Sequence, residues 1–298
     1  MSTAPVFDGM FGEPADAPAR APRRYGLVEA DSRMQLVRFG LADAYNLTRR
    51  YVLRARHQPD VIVGTLLLPI IFVVLFGYVF GSSISVGGGH YRAFLMSGLF
   101  AQTQMYAAGS VAVAVSTDMS EGVIDRFKAM PILRASVLIG RTASALIVGL
   151  PAFVIMIGCA LMVGWRPHAG IGNAVAGFAL LMLFGQACAW LGAYIGVLAR
   201  STQAAETLAM LPTFLLGFVS NVFVDTSRLP SWLRVMANWN PLSALVAASR
   251  KLFGNEAGPA PSGVWTLQHP IVASLLLSVL MLGLFVPLAL RRYEGVGR

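Results

Sequence analysis

The chain has 298 residues, 56% of them hydrophobic and only 12% charged, and it carries a formal charge of +9. A soluble domain holds roughly 25% charged residues, so composition excludes a water-soluble globular enzyme. It argues equally against nucleic-acid binding: 9 of the 23 basic residues precede the first long apolar run, where a basic excess marks the cytoplasmic side of a membrane, and no soluble basic domain remains to hold a polyanion.

Residues 1–31 are rich in Pro and Ala and contain no apolar stretch of the kind a cleaved leader needs, so a disordered cytoplasmic tail is expected. From Ser32 to His57 the spacing predicts an amphipathic helix with Val37, Leu41, Tyr45 and Tyr51 or Val52 on one face. Arg38, Arg49, Arg50, Arg54 and Arg56 occupy the other. Such a helix lies along the cytoplasmic lipid headgroups; a plain solvated helix is the alternative.

Runs of about 20 apolar residues cross a hydrocarbon layer of about 30 Å. Six are predicted, at about 61–80, 93–117, 136–164, 171–199, 203–224 and 271–290. The third and fourth are too long to stand upright and must tilt or protrude, meeting in a tight turn near Trp165 to Gly170. Arg and Lys favour the flanks that share a side with the N-terminus, which predicts cytoplasmic termini and a cytoplasmic segment 118–134. Arg141, five residues into the third span, reads as an anchor snorkelling to the inner interface. Cys159 and Cys188 fall within spans and read as small apolar residues. Gly192 and Gly196, a small-xxx-small pair in a fourth span expected to be peripheral, read as internal packing.

Between Asp225 and Pro270 two short apolar helices are predicted, about 231–238 and 241–253, with Asn240 as N-cap and Pro241 at the first helical position. Neither can cross a membrane. They are expected to re-enter or lie on the outer leaflet and pack over the outer ends of the spans, with Trp232 and Trp239 at the interface.

Several chemistries lack their residues. A phosphate-cradling GxxxxGK[ST] loop needs a lysine after glycine, but Lys128 follows Phe127 and Lys251 follows Arg250. His57, His90, His168 and His269 lie at span ends or in loops, without metal-ligand spacing. The acidic candidates for an ion-coupled carrier, Asp118, Glu206 and Asp225, all sit at span ends. No catalytic residue, metal or cofactor is therefore expected in this chain, and the energy for any transport should come from elsewhere.

The stretch "DMSEGVIDRFKAMPILR", residues 118–134, is the exception to the oily pattern. As a helix it would have Asp118 as N-cap and Glu121 at the third position. Met119, Val123, Phe127 and Met130 would share an apolar face, and Pro131 would stop the helix. That face fits either a hydrophobic groove on a partner or the membrane surface.

"EGVIDRFKAMPI" resembles the signature of ABC type-2 exporter permeases, in particular the daunorubicin/doxorubicin-resistance branch. The resemblance extends through "LLLPIIFVVLFGYVFG", "LMSGLFAQTQ", "ASVLIGRTASAL" and "FVSNVFVDTSRLPSWLRVMANWNPLSALVAASRKLFG", roughly residues 50 to 254. The long Pro/Ala tail and the Gly-rich turn at 87–89 depart from it.

The resemblance implies an all-α polytopic membrane protein. Its six transmembrane helices would be joined by a cytoplasmic amphipathic connecting helix, a short cytoplasmic coupling helix and outer re-entrant helices. It implies residence in a bacterial cell membrane and two partners: a cytoplasmic ABC ATPase present in two copies, which binds ATP and Mg, and a second copy or homologue of the permease. Glu121, Gly122, Asp125, Arg126 and Phe127 would contact the ATPase, with Phe127 as apolar anchor. By the same analogy spans two and five line the pathway of an amphipathic drug, antibiotic or lipid-like substrate. Gln102, Thr103, Gln104 and Met105, with Thr213, Phe214 and Phe218, are its candidate residues. Helix packing is the competing explanation for them, as it is for the small residues Ser97, Ala101, Ala108 and Ala112. A stand-alone secondary transporter and a non-transporting scaffold or immunity protein remain as alternatives at this point.

Overall fold

A computed structural model describes residue 67 and residues 33–56, 70–75, 91–121, 134–222, 230–255 and 263–295. Among the described residues there is no strand. The helices are α1 (Arg33–Arg56), α2 (Tyr91–Ser120), α3 (Arg134–Met162), α4 (Ile171–Leu198), α5 (Thr202–Phe218), α6 (Ser231–Asn238), α7 (Pro241–Phe253), α8 (Trp265–Gln268) and α9 (Pro270–Gly295), and residues 70–75 are also helical. The chain divides into Met1–Arg38, of which only the opening of α1 is described, and Phe39–Arg298, whose packing follows.

Among the described residues three helices are long and apolar enough to cross a membrane: Ala135–Met162, Ile171–Leu198 and Pro270–Gly295. They coincide with the third, fourth and sixth predicted spans. Most of the predicted first span, 61–80, lies outside the described residues. The predicted second span falls on α2, which is not one of these three and whose 30 residues include polar Gln102, Thr103, Gln104, Thr117 and Asp118. Much of its apolar surface is nonetheless buried, with Leu95, Met96, Phe100 and Ala101 fully enclosed.

Helix α2 packs most extensively on α4, and glycine is the reason the two come so close. A Cβ at Gly192 would stand 2.1 Å from the carbonyl oxygen of Ala108, and one at Gly196 would stand 2.6 Å from that of Ala112. The glycine pair is therefore internal packing, and Ala101, Ala108 and Ala112 are buried with it. The expectation of a peripheral fourth span is corrected: 56% of its apolar window is buried, against 17% for α3 and for α9. Its small residues let a neighbouring helix approach, whereas Ile147, Leu150 and Val154 of α3 and Leu276, Val279 and Leu280 of α9 are exposed.

The predicted fifth span, 203–224, ends as a helix at Phe218. Asn240 accounts for the early stop: its Nδ2 donates to the Leu216 carbonyl at 2.7 Å and also to that of Val219, taking up carbonyls that a helix end leaves unpaired. The same side chain caps α7, its Oδ1 accepting from the Leu242 amide at 2.9 Å, with Pro241 at the first helical position as expected. Both short helices, α6 and α7, have the predicted bounds. Trp232 and Trp239 are exposed, while α7 is buried against α2, α4 and α9.

Two devices fasten α7. Arg250, itself buried, donates to the carbonyls of Phe94 (Nε, 3.2 Å), Asn221 (Nη2, 2.8 Å) and Val222 (Nη2, 3.3 Å), and its guanidinium carbon lies 3.4 Å from the Phe94 ring centroid. Phe253, at the end of α7, joins Phe100, Phe153, Trp165 and Phe178 in a cluster of mostly edge-to-face rings. Gly254, with φ of +69°, then reverses the chain in the left-handed region that glycine adopts without strain.

Helix α1 turns a different face inward from the one its pattern predicts. Ala44, Leu47 and Tyr51 are buried and Tyr45 is 69% exposed. The inward face follows the 3.6-residue period through 44, 47 and 51, and it is chosen by its contact with α3: a Cβ on Gly140 would lie 2.9 Å from Leu47 Cβ. The side chains of Val37 and Leu41 lie outside the described set.

Candidate functional site

At one end of the bundle α1, α2, α3 and α9 converge. Leu47 and Tyr51 of α1 pack with Val111 and Val115 of α2, Val137 and Leu138 of α3, Trp190 of α4 and Tyr293 of α9. Thr48 fastens the crossing of α1 and α3, its Oγ1 donating to Ala44 O at 2.7 Å and reaching Gly140 O at 3.4 Å.

Inside this junction sits an ion pair. Arg141 Nε stands 3.4 Å from Asp118 Oδ2, with the two side chains 20% and 7% exposed. The Arg141 guanidinium carbon lies 4.5 Å over the centre of the Tyr51 ring. Burial pushes the Tyr51 hydroxyl well above its ordinary pKa, and the neighbouring Asp118 charge raises it further. Two sequence expectations are corrected here. Asp118 caps no new helix; it lies in the last turn of α2, which runs on to Ser120. Arg141 does not snorkel to lipid as a lone anchor but finds a carboxylate and an aromatic face inside the protein. The physical reason is common to both: each charge, withdrawn from water, is cheaper paired.

The coupling segment begins where this junction ends. Glu121 is exposed in the turn that closes α2, its amide donating to Thr117 O at 3.0 Å. Gly122, Asp125, Arg126 and Phe127 lie outside the described residues.

The candidate pathway residues occupy different sides of α2 and α5. Gln102 faces α5, where a Cβ on Gly217 would meet its Nε2 at 3.0 Å; its Oε1 is buried without a hydrogen-bond partner. Gln104 faces α4 instead, its Oε1 lying 2.5 Å from where a Gly185 Cβ would stand, and Met105 is buried in the same core. Thr103 donates to Leu99 O at 2.8 Å. Thr213 is buried and bonded to Ala209 O at 2.9 Å. Phe214 and Phe218 are exposed and stack on each other with centroids 5.3 Å apart. The structure thus brings Gln102 to α5, leaves the two phenylalanines open, and packs Gln104, Met105 and Thr213 inside. Among the described residues no three His, Cys, Asp or Glu side chains gather in a way that could hold a metal.

Sequence reasoning missed the Asp118–Arg141 pair, although a signal was present: opposite charges stand just inside the facing ends of two consecutive spans. It also missed Arg250 as a tie between α7, α2 and the turn after α5, because a basic residue in a short helix carries no mark of the distant carbonyls it will meet.

The family model for the ABC-2 type transporter matches residues 44–253. That interval opens at Ala44, buried in α1, and closes at the end of α7. Similar proteins include the daunorubicin resistance ABC transporter permease protein DrrB1 of Streptomyces coeruleorubidus, 27% identical over 85% of this chain and 88% of the relative. The doxorubicin resistance ABC transporter permease protein DrrB of Mycobacterium tuberculosis is 28% identical, over 78% and 83%. The putative transport permease ycf38 of Pyropia yezoensis is 22% identical, over 70% and 73%.

Proposed function

The chain belongs to the ABC-2 type transporter family, and from that premise we propose that it is the permease subunit of an ATP-driven exporter for an amphipathic drug, antibiotic or lipid-like substrate. The observation that carries this reading is the match over 44–253, joined to relatives named as resistance permeases that align along most of their own length. ATP and Mg belong to a separate cytoplasmic ATPase, bound in two copies beneath two permeases, this chain pairing with itself or a homologue. The chain resides in a bacterial cell membrane with both termini in the cytoplasm, so the junction of α1, α2 and α3 faces the ATPase.

Glu121, Gly122, Asp125, Arg126 and Phe127 are assigned to the ATPase contact, with Phe127 as the apolar anchor in a charged rim. When the ATPase pair closes on ATP, that segment is displaced and the permease halves rock to open outward. Gln102, Phe214 and Phe218 are the pathway residues best placed to meet an amphipathic molecule, since they combine an unsatisfied amide oxygen with open aromatic rings. Gln104, Met105 and Thr213 reach substrate only if the cycle separates α2 from its neighbours.

One observation weighs against a self-contained ion-coupled carrier. Such a carrier keeps an ionisable group poised along its path, whereas buried Asp118 is engaged by Arg141 at the end of the bundle. The test is co-purification of the permease with an ABC ATPase co-expressed from the same organism, and hydrolysis in lipid, for wild type and Glu121→Ala/Phe127→Ala. Retention by wild type and loss of coupled turnover by the variant support the reading. Failure of any ATPase to associate rejects it.

A further inference from the structure

Two opposite charges stand where the chain leaves α2 and where it has made two turns of α3. Between them runs the segment assigned above to the ATPase, so Asp118 and Arg141 bracket it from both sides. The ion pair draws those two stems together, and Tyr51, beneath the Arg141 guanidinium, adds α1 as a third member.

Stability alone is a poor explanation for this arrangement. Desolvating two charges offsets most of their attraction, and apolar replacements of similar volume often serve as well. What a buried pair supplies is fixed geometry, and the geometry here needs fixing. Only 17% of the apolar window of α3 is buried. Its middle, at Ile147, Leu150, Val154 and Ile155, is exposed. The helix is held instead by Val137, Leu138, Gly140 and Arg141 at the start, and further on only along one face, at Phe153, Met156 and Ala160. A displacement entering at the start of α3 would be dissipated by tilting that helix unless the start were locked to its neighbours.

We propose that Asp118, Arg141 and Tyr51 form a joint that ties both stems of the linking segment to α1, so that force received there moves α1 and the adjoining ends of α2 and α3 as one body. The three are positioning residues. The source of the force rests on the exporter reading; the joint itself does not. Coupling of this kind travels through contiguous packed side chains and ion pairs, and the path here is short: Asp118 to Arg141, Arg141 to Tyr51, Tyr51 to the cluster containing Trp190 and Tyr293.

The experiment uses the full chain with its partner ATPase in phosphatidylethanolamine–phosphatidylglycerol nanodiscs and proteoliposomes, comparing wild type with Asp118→Asn, Arg141→Gln and the charge-preserving Arg141→Lys. Amide hydrogen exchange reads the joint directly. Neutralisation should speed exchange at 44–51 and 137–141 together, by roughly tenfold or more, while 242–253 in α7 stays protected and Arg141→Lys stays near wild type. Unchanged exchange at 44–51 would overturn the joint. Efflux of doxorubicin, followed by its fluorescence, reads the consequence. The neutral variants should keep the ATPase bound and hydrolysing while efflux per ATP falls roughly tenfold, within the ordinary range of coupling factors. Hydrolysis and efflux falling in proportion, with their ratio unchanged, would also overturn it. If wild type retains no ATPase, the exporter reading fails while the exchange measurement still decides the joint.

Discussion

Gly192 and Ala108 are in direct backbone contact: a Cβ on the glycine would lie 2.1 Å from the alanine carbonyl oxygen. No rotation relieves a clash with a carbonyl, so the two helices must separate to admit even a methyl group. Gly192→Ala should lower stability by about 1–3 kcal/mol, the usual range for overpacking. Gly149→Ala, where nothing lies within 4 Å of the new carbon, should not. Thermal unfolding of the two variants in detergent, followed by tryptophan fluorescence, checks the difference.

Arg250 ties α7 to the start of α2 and to the turn after α5 through the carbonyls of Phe94, Asn221 and Val222. Arg250→Met should cost about 3 kcal/mol or more, because buried acceptors lose a charged donor. Arg250→Lys should recover little of it, since an ammonium cannot reproduce a planar fork that also lies flat on Phe94. Melting temperatures of both variants would show the effect, and near-full recovery by lysine would contradict this account of the site.

Asn240 acts with both ends of its amide. Asn240→Asp keeps the acceptor that caps α7 but loses the donor to Leu216 O and Val219 O, whereas Asn240→Ala loses both. Aspartate sets a buried carboxylate oxygen against both carbonyls, so the expected order of stability is wild type, then alanine, which loses about 1–2 kcal/mol with the cap, then aspartate. A melting temperature for Asn240→Asp at or above that of Asn240→Ala would contradict the donor role given to Nδ2.

Tyr51 makes α1 sensitive to alkaline pH. Its hydroxyl is held protonated in the fold by burial and by the Asp118 charge, while in the unfolded chain it ionises near about 10. The folded pKa is the raised one, so its contribution is fully present below pH 10 and is lost as pH climbs above it. Wild type should therefore lose melting temperature faster than Tyr51→Phe between about pH 9.5 and 11. Parallel pH profiles would remove Tyr51 from the account.

The long apolar helices were legible because a membrane-spanning helix announces itself by composition over 20 or more residues, as in α3, α4 and α9. Helices α6 and α7 were legible through local grammar, Asn240 and Pro241 above all. What escaped was set by partners distant in sequence. Tyr45 and Tyr51 look alike on a helical wheel, yet only Gly140, some ninety positions away, decides which turns inward. Asp118 looked like the first residue of a new helix because capping residues and helix-end carboxylates share a sequence signature; the arginine that retains it in α2 comes more than twenty positions later. Polar residues of α2 pointed toward a pathway in the sequence, but Gln104 is turned to α4 by the space that Gly185 leaves.

In the proposed cycle a separate ATPase drives this permease through the end of the bundle where α2 stops at Ser120. Efflux from proteoliposomes holding the permease and an ABC ATPase co-expressed from the same organism, with doxorubicin as probe, is measured for wild type and Glu121→Ala/Phe127→Ala. The account predicts efflux that requires ATP and the ATPase, and its loss in the double variant by roughly tenfold or more. Efflux that proceeds without the ATPase, or that the double variant leaves unchanged, would contradict it.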